Sequence, residues 1–516
     1  MIFKVTLRGS FSFICLSKVQ VSMMNFRPSE DLSEKDVSRG LKLVIAEGMA
    51  TESMVVFTGG AFLVAMAVHM GASNFQLGVL AALPTFSSIF QLVSIWLVQR
   101  FKNRRAIAVL SNFFARFPLI VIGLLPILFT AGTSIKVLIF LLFFHYYPGS
   151  IAGASWNSWM KDMVPAKQLG AYFSHRSRLT QSLNVILSLF VALSLDYLKA
   201  RHPEYMMSAY SGMFLIGGGF GLLSVFLLSR TPEPATAMVN DSIFKLLKKP
   251  LKDKNFRSLL TFNSLWAFSL NLATPFFSVY MMKTIGLPLS YIIALGIVCQ
   301  ISSILSIKMW GRYSDRYSNK TIINICAPVY VICILSWAFV GMASSMVTTL
   351  VMLGLINIVT GFSTAGANLA ISNISIKLAP KEEAIVYLTV KNISIAVFST
   401  IAPMTGGLLA DFFASHQLTG GFSWSGGGHT SILNFMDLQG WNFFFIIGGL
   451  FAMLSLRVLG RVKEFGEVDK DKAVVYIRKD IKRTFSREVK RAGLIGSPAF
   501  SSGLVRKMRQ LFHTYP

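Results

Sequence analysis

Residues 311–320, Gly-Arg-Tyr-Ser-Asp-Arg-Tyr-Ser-Asn-Lys, directly follow a long apolar stretch and decide how the whole chain is organised. A related sequence, Gln-Arg-Phe-Lys-Asn-Arg at residues 99–104, follows another long apolar stretch, and the two Arg-aromatic pairs lie 216 residues apart. A proline seven residues before a tyrosine also recurs, with the tyrosines at Tyr172 and Tyr387, 215 residues apart. These repeats predict a chain made of two related halves.

The composition is that of a membrane protein. Mean hydropathy is +0.58 and charged residues make up 14% of the chain, against about 25% in soluble domains. Apolar stretches of about 20 residues can cross the hydrocarbon core as helices, and they do not alternate as barrel strands would. We therefore predict an all-α polytopic membrane protein with twelve transmembrane helices in two pseudosymmetric six-helix bundles. The predicted spans are 41–70, 76–98, 106–130, 136–158, 178–198, 205–229, 257–282, 288–310, 321–343, 347–376, 386–410 and 440–459.

The positive charges are unevenly distributed between the two sets of loops. The loops after the odd-numbered spans contain only Lys136, Lys199, Arg201 and Lys283, whereas nearly all other cations lie in the opposite loops, at span ends or in the tails. Because cytoplasmic loops collect Lys and Arg, both termini are expected in the cytoplasm. The same bias explains the net charge of +26 without nucleic acid. The short loops favour a bacterial inner membrane.

Changes in composition divide the chain into five parts. They are a cytoplasmic N-terminal segment (1–40), an N-terminal bundle (41–229), a polar central linker (230–256), a C-terminal bundle (257–459) and a basic cytoplasmic tail (460–516). Within the tail, apolar residues recur every four positions from Ile477 to Val489 among many cations. This pattern predicts an amphipathic helix that lies on anionic lipid or docks on the protein's own loops.

Two other segments leave alternatives open. The glycine-rich outer loop at residues 411–440 is either a flexible connector or a lid or partner-binding segment. Near the N-terminus, the chain starts at Met1, or at Met23 or Met24, which would remove a short apolar stretch. That stretch is too short to predict a signal peptide.

The basic loop of the second half carries a recognisable motif. Gly311, Asp315, Arg316 and Lys320 form the pattern Gly-x-x-x-Asp-Arg, followed after three further residues by a cation. Together with six plus six helices, cytoplasmic termini, a charged middle loop and paired basic loops, this motif resembles the major facilitator superfamily over residues 41–459.

The resemblance implies transport by alternating access, in which two bundles rock about a central site near the bilayer midplane. The cytoplasmic loops would then act as a latch. In that latch Asp315 would lie at the positively polarised N-terminus of the fifth span, near Arg176 and Arg178. Alternatively, Asp315 and Arg316 only set the topology and cap a helix.

The first half departs from the motif. Ile95 and Gln99 stand where the motif has glycine and aspartate, although Arg100 and Arg104 remain. By pseudosymmetry these two arginines would face the start of the eleventh span. The acidic residues there are Glu382 and Glu383. We therefore expect one strong latch and one weaker latch.

Few charges lie at membrane depth, where they are costly and tend to be functional. Glu52 lies about 16 Å along the first span, which lines the cavity in the family. It is a candidate proton carrier or substrate contact, and the competing interpretation is a structural ion pair with Arg116 in the third span. Glu47, about 140° round the helix from Glu52, is expected to be an interfacial or packing residue.

Three further polar side chains inside spans are candidates for substrate contact or coupling. His145 in the fourth span either titrates during transport or serves in packing. Asn271 in the seventh span and Asn357 in the tenth either contact substrate or bind neighbouring helices. Pro275 and Gly361 lie close to them and are expected to interrupt helix hydrogen bonding.

These features favour a secondary active transporter of small organic solutes, which is either coupled to protons or acts as a facilitator. We expect it to be a monomer without a cofactor or metal. Its expected partners are a small-molecule substrate, protons in the coupled case, and membrane lipids. No Gly-x-x-x-x-Gly-Lys-Ser/Thr loop occurs, which argues against an ATP-driven pump. The alternatives are a membrane-embedded transferase that uses His145, Glu52 and Arg116, or a former transporter retained as a receptor or scaffold. The transferase would lack an identifiable nucleophile with an adjacent base.

Overall fold

The computed structural model describes residues 28–29, 32–125, 131–165, 168–235, 248–342, 345–380, 383–426 and 429–464. Twelve helices in these ranges are long and apolar enough to cross a membrane, so the predicted fold class and span number are confirmed. In chain order they are α1 (Glu34–Thr58, continuing as Gly60–His69), α2 (Asn74–Ser88, continuing as Gln91–Phe101), α3 (Arg104–Gly123), α4 (Ala131–Met163), α5 (Leu169–Arg201), α6 (Met206–Ser229), α7 (Lys254–Ala273, continuing as Phe276–Lys283), α8 (Leu289–Tyr317), α9 (Asn319–Ser336), α10 (Met346–Leu378), α11 (Ala384–Phe413) and α12 (Trp441–Leu459).

In both halves a tyrosine at the predicted spacing contacts the first helix of its half. In the first half the Tyr172 hydroxyl on α5 donates a hydrogen bond to the Leu41 carbonyl on α1, at 2.8 Å. In the second half the Tyr387 ring on α11 packs edge-to-face on Phe256 of α7, with ring centroids 4.7 Å apart. Residues 41 and 256 are themselves 215 apart, so the recurring tyrosine anchors the fifth helix of each half to the first.

The first helix of each half is broken at equivalent positions. α1 is interrupted at Gly59, and Gly60 has a φ of +57°, a conformation that glycine adopts at little cost. α7 is interrupted at Pro275, as the sequence predicts, because proline lacks the amide hydrogen that the helix needs.

The expected interruption at Gly361 is wrong. α10 runs without a break from Met346 to Leu378. A Cβ atom at position 361 would lie 2.1 Å from the Cys299 carbonyl oxygen on α8. This glycine therefore serves close packing of two helix backbones rather than bending.

The outer loop between α11 and α12 forms a β-hairpin instead of an irregular connector. Its strands β1 (Gln417–Gly426) and β2 (His429–Gln439) pair in antiparallel register. The register shifts between Gly420 and Gly421, where glycine accommodates the irregular backbone. The predicted amphipathic helix of the tail and the alternative start positions lie outside the described residues.

Helix direction gives the bundle two distinct ends. We call the end with the hairpin, where α2 and α8 begin, the hairpin side. We call the other end, where α1 begins and α12 finishes, the basic side. The linker joins the halves on the basic side: Ser29 exchanges backbone hydrogen bonds with Glu233 and Ala235, and a short helix, Lys249–Lys252, precedes α7.

The close approach of α8 and α10 predicts unequal effects of two glycine substitutions in α10. We expect Gly361→Ala to lower the thermal midpoint of the purified protein, since relieving its contact with the Cys299 carbonyl costs about 1–3 kcal/mol. Gly354→Ala is the matched control, because a Cβ at position 354 meets nothing within 4 Å and alanine favours the helix. Equal midpoints for the two variants would contradict this packing role.

Candidate functional site

A carboxylate of the first half caps a helix of the second half on the hairpin side. Asp196, near the end of α5, accepts hydrogen bonds from the backbone N–H groups of Leu289 at 2.9 Å and Ser290 at 2.8 Å. These amides begin α8, so their hydrogen atoms have no partner within the helix. The negative charge also opposes the positive end of the helix dipole.

A carboxylate of the second half caps a helix of the first half in the same way. Asp411, near the end of α11, accepts hydrogen bonds from the backbone N–H groups of Asn74 at 3.3 Å and Phe75 at 3.0 Å, at the start of α2. Residues 196 and 411, and the amides that they bind, are all separated by 215 positions. The two halves are therefore joined by a symmetric pair of helix caps.

Close helix packing continues from the second cap toward the middle of the bundle. A Cβ atom at Gly78 of α2 would lie 2.2 Å from the Pro403 carbonyl oxygen of α11. Further along the same helices, the Thr85 hydroxyl donates to the Ser399 carbonyl oxygen at 3.4 Å. The caps and this packing close the hairpin side.

The predicted latch on the basic side is not formed in this conformation. Asp315 is exposed and has no hydrogen bond or ion pair with any described residue. Arg176, its expected neighbour, instead binds Glu47 within its own half. Arg178 is exposed. Two other residues of the second-half motif have contacts within their own half: Gly311 faces Leu369 of α10, and Arg316 lies over the Tyr317 ring.

In this conformation Arg104 lies within its own half and not at α11, where pseudosymmetry placed it. Its side chain is buried in its own half, where its Nε donates to Glu233 at 3.0 Å and its guanidinium also pairs with Asp162 at the end of α4. Glu233 also accepts the backbone N–H of Arg104 at 3.0 Å and that of Arg105 at 2.9 Å. Glu233, which follows α6, thus caps the N-terminus of α3.

The other members of the predicted second latch are dispersed. Arg100 is exposed. Glu383 pairs with Lys249 of the linker, and Glu382 lies outside the described residues.

The second half contains a matching carboxylate at Glu464, which follows α12. It accepts the backbone N–H groups of Asn319 at 3.3 Å and Lys320 at 2.7 Å, and the Lys377 ammonium at 2.9 Å. Burial by itself raises the pKa of Glu464, but these donors outweigh it and hold the pKa below its usual value. Sequence reasoning missed both carboxylates, although each ends an Arg-x-x-Glu pattern that occurs after the last helix of its half.

A buried polar cluster occupies the first half at membrane depth. Glu47, 7% exposed, accepts hydrogen bonds from Thr51 at 2.9 Å and from Arg176 at 3.2 Å. Arg116, 8% exposed, interacts electrostatically with Glu47. The expected pairing of Arg116 with Glu52 is therefore replaced by one with Glu47, which is a charged member of the cluster and not an interfacial residue.

Glu52 has a different environment from Glu47. It is half-buried and accepts a hydrogen bond of 2.6 Å from the amide of Asn184 on α5. In the second half Ser399, which lies 215 residues after Asn184, accepts a hydrogen bond of 3.1 Å from the amide of Asn271 on α7. Each half thus joins its first and fifth helices through one polar pair at this level.

The other two candidates make contacts with the backbone. His145 is buried, and its Nδ1 lies 2.7 Å from the Ala115 carbonyl oxygen of α3. The Asn357 amide donates to the Leu353 carbonyl oxygen one turn earlier in α10, at 2.8 Å. The structure therefore brings His145 and Arg116 together in one half and leaves Asn357 apart from them.

The family of the chain follows from its sequence. The profile of the Major Facilitator Superfamily matches residues 48–384. The chain belongs to the major facilitator superfamily. No curated protein sequence matches it.

Solved transporters share this major facilitator fold at low sequence identity. The nucleoside transporter NupG is 13% identical, with 83% of this chain and 100% of that chain covered and a TM-score of 0.58. A D-xylose–proton symporter is 15% identical over 85% and 99% of the two chains, with a TM-score of 0.59. A bacterial homologue of the human lysosomal transporter Spinster, in an inward-facing and unoccupied conformation, is 15% identical over 84% and 99%, with a TM-score of 0.55.

The paired caps predict how the hairpin side opens. We expect Asp196→Ala with Asp411→Ala to favour the open state of that side about thirtyfold, since each cap contributes about 1 kcal/mol. Thiol labelling of a cysteine placed at Leu77, in a background without native cysteines, measures this opening. Glu204→Ala is the control, because Glu204 lies on the same side and its one ion pair within the described part of the chain is with His202 at the surface. Unchanged labelling in the double variant would rule out a gating role for the caps.

The lowered pKa of Glu464 predicts how stability depends on pH. Because the folded protein holds this carboxylate ionised, its contribution is full above about pH 4.3, the usual value for glutamate, and is lost as the pH falls through the lower pKa of the folded state. At pH 7 we expect Glu464→Gln to cost about 1–3 kcal/mol, seen as a lower thermal midpoint. The difference from the unsubstituted protein should shrink on acidification, whereas a difference that is constant with pH would show that charge is not the cause.

Proposed function

We propose that this protein is a secondary transporter that moves small organic solutes across a membrane by alternating access. The observation that carries the proposal is the symmetric pair of caps made by Asp196 and Asp411. These contacts consist of four hydrogen bonds to backbone amides, so they can be released and formed again without unfolding either half. A joint of this kind suits two rigid bundles that rock about a central site.

The charge distribution supports an orientation for this movement. The basic side carries the loops that are rich in Lys and Arg, and such loops stay in the cytoplasm. Both termini would then be cytoplasmic, and a bacterial inner membrane fits the short loops. In this orientation the conformation described above, closed by the caps and without the Asp315 latch, is inward-facing.

The contacts of Glu52 favour it over Glu47 as the proton carrier. Glu47 lies between two guanidinium groups, Arg176 in direct contact and Arg116 nearby, so protonating it would leave buried cations without a counterion. Glu52 has a neutral amide as its hydrogen-bond partner, which binds either protonation state. A carboxyl group that can exchange its proton in this way could couple solute movement to a proton gradient.

Flux measurements in proteoliposomes test the transporter function against its alternatives. We expect labelled organic solutes to cross liposomes that contain the protein, and flux to increase when the caps are removed if opening of the hairpin side limits the rate. Chemical conversion of a lipid substrate without flux would instead indicate a transferase. Ligand binding without either activity would indicate a receptor or scaffold.

The two glutamates of α1 predict a clear division between coupling and stability. We expect Glu52→Gln to abolish accumulation driven by an imposed pH gradient while leaving the thermal midpoint nearly unchanged, because glutamine can still accept the Asn184 hydrogen bond. Glu47→Gln serves as the contrast and should lower the midpoint, since breaking a buried ion pair costs about 3–5 kcal/mol. Accumulation by Glu52→Gln equal to that of the unsubstituted protein would exclude Glu52 as the proton carrier.

A further inference from the structure

Lys391 is a cation inside a transmembrane helix that the sequence analysis did not single out. It lies seven residues after Ala384, about 10 Å along α11, and is half-buried. No hydrogen bond or ion pair joins it to another residue in the described ranges. Charged residues within transmembrane helices are rare and tend to mark substrate or ion pathways.

The contacts of neighbouring residues show which helix Lys391 faces. One turn before it, the Tyr387 ring packs on Phe256 of α7. One turn after it, the Ser394 hydroxyl lies 2.7 Å from the Ser264 hydroxyl of the same helix. Residues three and four apart share a helix face, so Lys391 lies on the face of α11 that packs against α7.

The first half has a balanced counterpart of this cation. Arg176, 215 residues earlier, also lies seven residues after the start of its helix. It is neutralised by Glu47 on α1. The position equivalent to Glu47 on α7 is Phe262, which is fully buried. The second half has therefore kept the cation without the carboxylate that balances it in the first half.

A second polar side chain without a hydrogen-bond partner in the described ranges, Asn263, lies on the facing helix α7. Asn263 is only 2% exposed, and neither its side-chain oxygen nor its nitrogen has a hydrogen-bond partner among the residues that the structure describes. It lies seven residues after Phe256 and next to Ser264, so it belongs to the face of α7 that packs against α11. Buried polar groups are nearly always hydrogen-bonded, so this amide is a second group between α7 and α11 that a ligand would satisfy.

We propose that Lys391 and Asn263 form a binding site for the anionic group, a carboxylate or a phosphate, of a small organic solute. This inference rests on the proposed transport function and assigns its substrate class. The ammonium supplies the charge that an anion needs, and the amide NH₂ supplies a directed hydrogen bond. The site lies between the first and fifth helices of the second half, opposite the Glu47–Arg176 pair of the first.

Binding of related probes that differ in charge tests the site without requiring flux. Thermal midpoints of the purified full-length protein are measured with gluconate, glucose 6-phosphate and UMP, and with their neutral parents glucose and uridine. We expect at least one of the anions to raise the midpoint by mass action, and its neutral parent to do so weakly. Lys391→Met should weaken anion binding about tenfold or more, and Lys391→Arg should retain it.

Two controls separate a binding site from a structural lysine. Lys308→Met removes an exposed cation from the half of α8 that is nearer the basic side, and it should leave anion binding unchanged. Without ligand, Lys391→Met should be at least as stable as the unsubstituted protein, because an unpaired charge has been removed. A loss of stability in Lys391→Met, equal binding of neutral and anionic probes, or no response to any anion overturns the proposal.

The outcomes for this site and for the transport function remain distinct. Anion binding that depends on Lys391, found without flux in proteoliposomes, would support the site and contradict the transporter. Flux of a neutral solute that is unaffected by Lys391→Met would support the transporter and overturn the anion site.

Discussion

Two carboxylates, Asp196 and Asp411, join the halves on the hairpin side by capping helices across the boundary between them. Each accepts two backbone amides at the start of a helix in the opposite half. A charged acceptor at a helix N-terminus is favourable because it satisfies amides that the helix leaves unpaired and opposes its dipole. The contact is short-ranged and directional, so a small rotation of one half removes it entirely.

The interactions within each half are of a different kind. Glu233 and Glu464 are buried on the basic side, and each ties the end of its half to the start of that half's third helix. These carboxylates also pair with cations, Arg104 in the first case and Lys377 in the second. Breaking such a pair is costly because it strands a buried charge. The bundles are therefore internally stiff, while the joint between them is held by contacts that water can replace.

Sequence patterns predicted the twelve spans, the duplication and the break at Pro275, because each depends on local composition or on a spacing within one helix. The partners of the polar residues were harder to predict. The helical angle between Glu47 and Glu52 showed that they face different ways, but not that Arg116 lies beside the first. The caps made by Asp196 and Asp411 join residues 93 and 337 positions apart, for which no local signal exists. The hairpin was missed because its glycines indicate backbone freedom rather than strand pairing.

Divergence after duplication explains why the two halves differ where their chemistry differs. Helix caps and tyrosine anchors recur in both halves at the 215-residue spacing. The Glu47–Arg176 pair has become Phe262 and Lys391, and Glu52 has become Ala267. The first half therefore carries carboxylates and the second half a cation at related positions. In the proposed function this divides the two tasks, since a proton needs an acceptor and an organic anion needs a cation. Under the proposed function, this asymmetry of charge between two otherwise equivalent bundles is what would let one protein bind both a proton and an organic anion.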